Sequence, residues 1–288
     1  MLNSGELTNH VNYDFFDFPP IPIFEYPNQA SKIIWSVNST NISQVSSQII
    51  DLIKTNKISI QMALYLIDNF SKIREKDIEL FAELYQKVSK GFPNIEPKNR
   101  SLATLLYYNG FKFQIFKPKM KKEDVRNLYS TESPLYYIAW DKIDDLKFKF
   151  PDLEVNEIID EKITPLDCAI KYGSELCFIY FQRLEADYSN KSSEYAVQSG
   201  NKTIFMQMIE DEESFDKMIN TALDYHNFEI AKYLKEYFGQ VPDSIAESMY
   251  FGNYNIASYL LSNGFNIDNT FNLFLFIYVI VLWNSLSL

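Results

Sequence analysis

Histidine and cysteine are almost missing from this chain, with His10, His226, Cys168 and Cys177 the only examples in 288 residues. A disulfide framework or a structural zinc site needs more such side chains at set spacings, so both are excluded. The two cysteines lie in apolar surroundings and read as reduced structural thiols, which points to a cytoplasmic location. Glycine (8) and proline (11) are sparse, which disfavours a turn-rich sandwich and favours long helical segments. Basic charge is also short, since 27 Lys and Arg face 38 Asp and Glu for a net charge of -11. That field repels a phosphate backbone, so no nucleic-acid partner is expected. Met1 to His10 has no basic start followed by an apolar run, so no secretory signal is read there. Triplets such as Asn38 to Thr40 then carry no glycosylation meaning.

Chemical motifs are equally scarce. No Gly-rich phosphate loop, HExxH or acidic calcium loop occurs. Paired carboxylates can always be found among 38 acidic residues and therefore signify little. A nucleophilic Cys168 or Cys177 served by His226 is the one catalytic arrangement available, a cysteine-dependent hydrolase. Both thiols, however, fall at helix positions expected to pack. The run Glu210 to Glu213 reads as a solvated loop in preference to a metal site. The expectation is a protein that is not an enzyme, with no cofactor, no metal and no catalytic residue.

What the chain does have is apolar and aromatic bulk: 47% hydrophobic residues, including 23 Phe and 20 Tyr, enough for a sizeable core. Residues 1–29 read as an extended arm, because Pro19, Pro20, Pro22 and Pro27 among Phe15, Phe16, Phe18, Phe24 and Tyr26 oppose a helix. Such an arm either lies over its own domain or serves as a linear motif. Residues 30–110 read as a helical N-terminal domain. Its apolar stripes run through Val45, Ile49 and Leu52, then Ala63, Leu64, Ile67 and Phe70, then Ile78, Phe81, Leu84, Tyr85 and Val88. Ser43 and Ser59 stand where N-caps belong, and Asn109-Gly110 is a stop signal. Residues 111–129, basic around Pro118, read as a solvated linker.

From Ser130 onward the chain repeats. The small residues Ala169, Ala196, Ala222 and Ser248 are spaced 27, 26 and 26 apart. Four positions beyond each stand Gly173, Gly200, His226 and Gly252, followed by Ser174, Asn201, Asn227 and Asn253. An i, i+1, i+4 apolar stripe follows each turn, as in Ile230, Ala231 and Leu234, so every unit is a helix, a tight turn and a second helix. The anchors are small because neighbouring helices pack closely there. Thr164-Pro165 opens its helix with a cap and a first-turn proline.

Thr164-Pro165-Leu166 with Ala169 and Gly173, and Leu260 to Ile267 around Gly264, resemble the ankyrin repeat. Ser133-Pro134-Leu135 resembles a weaker opening, with Ile138 at the anchor and Lys142 at the glycine position. The whole is similar to the divergent ankyrin families of trichomonad protists, whose N-terminal region has no assigned function. The resemblance implies an all-α fold, a helical solenoid of short, divergent ankyrin-type helix-turn-helix repeats over residues 130–270, preceded by a helical N-terminal domain. It implies a protein-binding scaffold, partner unknown. The framework residues are Thr164, Pro165, Leu166, Ala169, Gly173, Ala196, Gly200, Ala222, Gly252 and Gly264. Ankyrin units run to about 33 residues. These are shorter, so projecting β-turns are expected to be reduced, and His226 departs from the turn glycine.

Residues 271–288 form an apolar tail in which Leu273 to Trp283 is an unbroken run of 11 residues. A spanning helix needs about 20, so membrane insertion is not expected, although a peripheral attachment through this segment is the remaining alternative. A repeat stack should close with a unit whose outer face is polar, and no such unit is seen here. If the anchor register is right, Ala196→Leu overpacks the stack and lowers stability by about 1–3 kcal/mol in a denaturant titration. An unchanged midpoint would contradict that register.

Overall fold

The computed structural model describes residues 14–92, 95–160 and 163–266. The fold is all-α: among the described residues the sole β feature is an isolated antiparallel bridge between Ile159 and Ile163. The chain opens with a 3-10 turn, Pro22–Phe24, leading into α1 (Glu25–Trp35). Then come α2 (Ile42–Lys54), α3 (Ile60–Ile73), α4 (Ile78–Ser89) and α5 (Arg100–Tyr108). These helices bury the stripes expected of them, with Ile49, Ile67, Phe70, Phe81 and Leu84 fully enclosed. Ser59 caps α3 by accepting from the Met62 amide at 3.1 Å. Ser43 is not a cap. Helix α2 begins one residue before it, preceded by Asn41, whose side chain instead closes the turn from Ser36 and Asn38.

Two boundaries differ from those expected. The arm of residues 1–29 is not extended throughout, since α1 begins at Glu25 with Pro27 inside its first turn. The first four amides of a helix have no intrahelical partner, so the donor that Pro27 lacks costs nothing there. Residues 1–13 of the arm lie outside the described residues. Residues 111–129 are no solvated linker: Phe116 and Val125 are buried, α6 (Lys122–Arg126) packs on α5, and the Trp140 indole donates to the Asn127 carbonyl at 3.0 Å. Aromatic residues between the lysines supply the buried side that a charge count overlooks.

Five helix pairs follow. They are α7 (Pro134–Ala139) with α8 (Ile143–Lys149), α9 (Pro165–Lys171) with α10 (Glu175–Arg183), and α11 (Ser192–Ser199) with α12 (Lys202–Glu210). The last two are α13 (Ile219–Asp224) with α14 (Phe228–Phe238) and α15 (Ile245–Tyr250) with α16 (Tyr254–Ser262). The first helices pack in sequence, α7 on α9, α9 on α11, α11 on α13 and α13 on α15. Each pair turns through one left-handed residue: Asp141 (φ 53°), Gly173 (64°), Gly200 (70°), His226 (56°) and Gly252 (78°). The first pair is thus out of its expected register by one. Asp141, not Lys142, takes the turn, and Lys142 donates its amide to Tyr137, as Ser174 does to Ala169 and Asn227 to Ala222. Aspartate enters this region more readily than lysine, and the Asp141 carboxylate accepts from the Leu176 and Cys177 amides at the start of α10.

The residue after each turn joins one pair to the pair before it. Ser174 Oγ donates to the Ala139 carbonyl at 3.2 Å and Asn201 Nδ2 to that of Gly173 at 3.2 Å. Asn227 Nδ2 donates to the carbonyls of Val197 (2.7 Å) and Gln198 (3.0 Å), and Asn253 Nδ2 to that of Leu223 at 2.8 Å. The last carbonyls of a helix lack intrahelical partners, so each amide meets a need left by the previous pair. Such a bond contributes about 1 kcal/mol net, and more is lost if a buried partner is stranded. Residues 150–164, between α8 and α9, form the longest connection within the stack and hold the Ile159–Ile163 bridge, so the expected shortening does not extend to this step.

Helices α1 and α3 and the turn Glu75–Asp77 that follows α3 lie against the turn edge of this row. Lys76 donates to the Tyr172 carbonyl at 3.0 Å, and Glu75 accepts from the Tyr172 hydroxyl at 2.8 Å. Tyr65 OH and Asn69 Nδ2 both donate to the Tyr250 carbonyl, and Ser31 Oγ donates to that of Gly252 at 2.8 Å. The arm runs on over α16, where the Ile21 amide donates to Ser258 Oγ at 3.1 Å and Asn255 Nδ2 to the Phe16 carbonyl at 3.0 Å. The last described pair is therefore covered by the chain's own N-terminal segment, where a polar outer face was expected. The apolar tail, residues 271–288, lies outside the described residues.

A Cβ at Gly252 would stand 2.6 Å from Ser31 Oγ and 3.1 Å from Phe70, whereas one at Gly264 (φ 79°) would meet nothing within 4 Å. Gly264→Ala should cost about 1–2 kcal/mol for its backbone conformation alone. Gly252→Ala should lose about 1–3 kcal/mol more by pushing the N-terminal helices away. Equal losses in urea titrations would show that this contact does not hold the two parts together.

Candidate functional site

Where the arm, α1 and the last two pairs meet, they leave a groove of about 520 Å³. Helical spacing puts Asn28, Ser31, Lys32 and Trp35 of α1 on one of its walls, at i, i+3, i+4 and i+7. Phe228, Glu229 and Lys232 of α14 form the facing wall, and Asn253 and Asn255 close one end. The arm contributes Asp14, Phe16 and Asp17.

At its base the imidazole of His226 stacks on Trp35, with centroids 4.1 Å apart, and meets Phe70 and Phe228 edge-on. Its Nε2 lies 2.9 Å from the Phe251 carbonyl. Burial among these rings lowers the His226 pKa to about 4, the bond to Phe251 working in the other direction. The ring is thus neutral at pH 7 and Nε2 carries the proton it donates. His226 sits where three of the other pairs have glycine because its ring belongs to the contact with α1 and α3.

Charge in the groove is mixed. Asp14 pairs with Lys235, Glu229 lies 3.9 Å from Lys202, and Lys232 lies 3.8 Å from Glu236. Asn28 is only 7% exposed and has no hydrogen-bond partner among the described residues. Among the described residues, every side-chain nitrogen or oxygen that is wholly removed from solvent has a partner. The polar atoms of the Asn28 amide therefore open into the groove.

The framework residues inferred from the sequence do not converge on a site. Thr164 caps α9 by accepting from the Asp167 amide at 3.2 Å, Pro165 begins that helix, and Leu166, Ala169, Ala196 and Ala222 are fully buried between helices. Gly173, Gly200 and Gly252 form turns, and Gly264 ends α16, where the Phe265 amide reaches the Leu260 carbonyl at 3.1 Å. Asp167 accepts from Ser189 Oγ at 2.6 Å and from Ser192 Oγ, tying α9 to the start of α11. Of the ten, Gly252 borders the groove.

Cys168 and Cys177 are both buried. Burial pushes the Cys168 thiol up to about 12 and raises that of Cys177 as well, opposite to the depression an attacking thiolate requires. In the run Glu210 to Glu213, Asp211 accepts from Tyr188 OH at 2.6 Å and from Gln182 and Gln207, which is a structural role. No group of three His, Cys, Asp or Glu among the described residues is placed to hold a metal ion. No described helix is long and apolar enough to cross a membrane.

Comparison with protein-family models, curated proteins and solved structures finds no match to this chain. Sequence reasoning missed Asn28 and Trp35 because prolines hid the start of α1. The spacing Asn28, Lys32, Trp35 was the signal available.

Two partly buried groups give the fold a pH dependence. Histidine takes up its proton near 6.5 in an unfolded chain but His226 only near 4 in the fold. Its contribution is therefore complete above pH 6.5 and lost as pH falls from 6.5 towards 4, at no more than about 1.4 kcal/mol per unit. Asp224, at the end of α13, acts in the opposite sense. Burial, with help from Glu247, raises it from 3.8 to about 8, so its contribution is complete below pH 3.8 and declines as pH rises to 8. Asp224→Asn should raise the melting temperature at pH 8 and leave it unchanged at pH 3.5, while His226→Asn should flatten the loss between pH 6.5 and 4. Parallel pH profiles for all three proteins would contradict these assignments.

Proposed function

We propose that this chain is a non-catalytic protein-binding scaffold whose helix pairs between Ser133 and Gly264 form a short, divergent ankyrin-like solenoid. The observation that carries the reading is the recurrence of one bond: at four successive steps, the side chain after a left-handed turn donates to a carbonyl of the pair before. Units joined in the same way at every step form a row, and a row presents an extended surface well suited to a protein partner. The turn edge of that row is occupied by α1, α3 and the turn after α3, which leaves the second helices of the pairs. There Phe148 of α8, Leu176 and Ile179 of α10, and Tyr237 and Phe238 of α14 are exposed apolar side chains. Exposed apolar side chains of this size are the candidates for contact with a partner.

The test uses the full chain in a pull-down followed by binding of the recovered partner in purified form. Leu176→Glu with Tyr237→Glu should abolish binding without changing the melting temperature, and Cys168→Ala with Cys177→Ala should leave binding intact. A partner unaffected by the first pair of substitutions would overturn the proposed surface. Labelling of either cysteine by a mild electrophile faster than a free thiol would instead revive a cysteine hydrolase.

A further inference from the structure

We propose that the groove between α1 and α14 takes an extended peptide segment of a protein partner, with Asn28 pairing with its main-chain amide and Phe228 receiving one apolar or aromatic side chain. This rests on the protein-binding reading and deepens it by naming what one site recognises.

Asn28 carries the inference. A carboxamide offers a donor pair and an acceptor, and its natural complement is another amide. Its polar atoms open into the groove with no protein group paired to them, so only solvent meets them there and a ligand amide can take its place. Its neighbours in the groove are engaged: Ser31 with Gly252, Asn253 with Leu223, and Asn255 with Phe16. Asn28 alone among these polar side chains is both buried and without a partner among the described residues.

The adjoining surface already handles peptide in this way. The arm reaches the groove in irregular, non-helical form, and Asn255 holds it through its main chain, donating to the Phe16 carbonyl. Ser258 likewise accepts from the main-chain amide of Ile21. A second extended segment beside the arm would meet the same kind of contact at Asn28.

Other ligand chemistries fit less well. For a phosphate or other anion, Lys32 is opposed by Asp17 and Glu229, and the whole chain is at -11. For a stacked nucleobase, Trp35 is already covered by His226 and has the Arg74 guanidinium 5.5 Å from its centroid. For a cation, the Asp14 carboxylate is taken by Lys235. Phe228, 40% exposed on the facing wall, offers open aromatic surface to an apolar side chain.

The experiment titrates the full chain with N-acetyl-phenylalanine N-methylamide and, separately, with the methyl ester lacking the terminal N–H. NMR follows the Trp35 indole resonance, assigned with Trp35→Phe. The amide should bind, the ester should bind at least about tenfold more weakly, and Asn28→Leu should weaken the amide by a similar factor. Asn28→Leu should also leave the melting temperature about unchanged, since the amide it replaces makes no hydrogen bond to another described residue. Asn28→Asp, which loses the donor alone, should weaken binding as well. Equal binding of ester and amide, or a drop in melting temperature for Asn28→Leu without loss of binding, would overturn the proposal. If neither probe binds while a protein partner still depends on Leu176 and Tyr237, this inference falls and the scaffold reading stands. If no protein partner depends on those residues either, both fall.

Discussion

The fold depends on what happens at the end of each first helix. A left-handed residue reverses the chain there, and the side chain that follows closes open carbonyls of the preceding pair. The constraint is local in sequence but its consequence is not. It fixes the distance and rotation from one pair to the next, and so sets the row on which everything else is built. Small residues at Ala169, Ala196 and Ala222 then let the first helices approach closely enough for those bonds to form. At Gly200 the same economy is visible twice over, since φ is 70° and any Cβ would collide with the Asn227 amide that makes the link.

A row of this kind has ends and an exposed turn edge, and this chain covers both from its own N-terminus. Helices α1 and α3 and the turn after α3 meet the row at Tyr172, His226 and Gly252, while the arm lies on α16. Two departures from the repeat pattern follow directly. His226 stands in a glycine slot because its ring fills the space against Trp35 and Phe70, and Gly252 must remain glycine because Ser31 approaches its backbone. The groove is a by-product of the same docking. Its walls come from residues about two hundred positions apart in the chain, which is why it has the shape of an interface and the chemistry of neither part alone.

Much of the helical architecture was legible in the sequence, and the exceptions have physical causes. Stripes of period 3.6 exposed α2–α4, and the recurrence of a small anchor and a turn exposed the pairs from Thr164 onward. Helix α1 was hidden because Pro22 and Pro27 look like breakers, although prolines in a first turn remove no bond. The first pair was placed one residue out because Ser133-Pro134-Leu135 matches an opening while Asp141, not a glycine, makes its turn. Residues 111–129 looked like a solvated linker because the lysines outnumber the buried Phe116 and Val125 that hold it down. The framework residues proved structural, and a local pattern could show one wall of the groove at most, through the spacing of Asn28, Lys32 and Trp35, since the other walls come from residues distant in the chain.

One measurement bears most directly on the claim that the N-terminal helices and the row of pairs form a single cooperative body. Native-state hydrogen exchange on the full chain, followed across a denaturant series, gives the opening free energy of each helix. If docking at the turn edge is as integral as these contacts indicate, the slowest amides of α3 and of α13 should converge on one shared opening free energy and respond together to Gly252→Ala. Opening of α1–α5 at distinctly lower free energy, with α13 and α15 still protected, would contradict it.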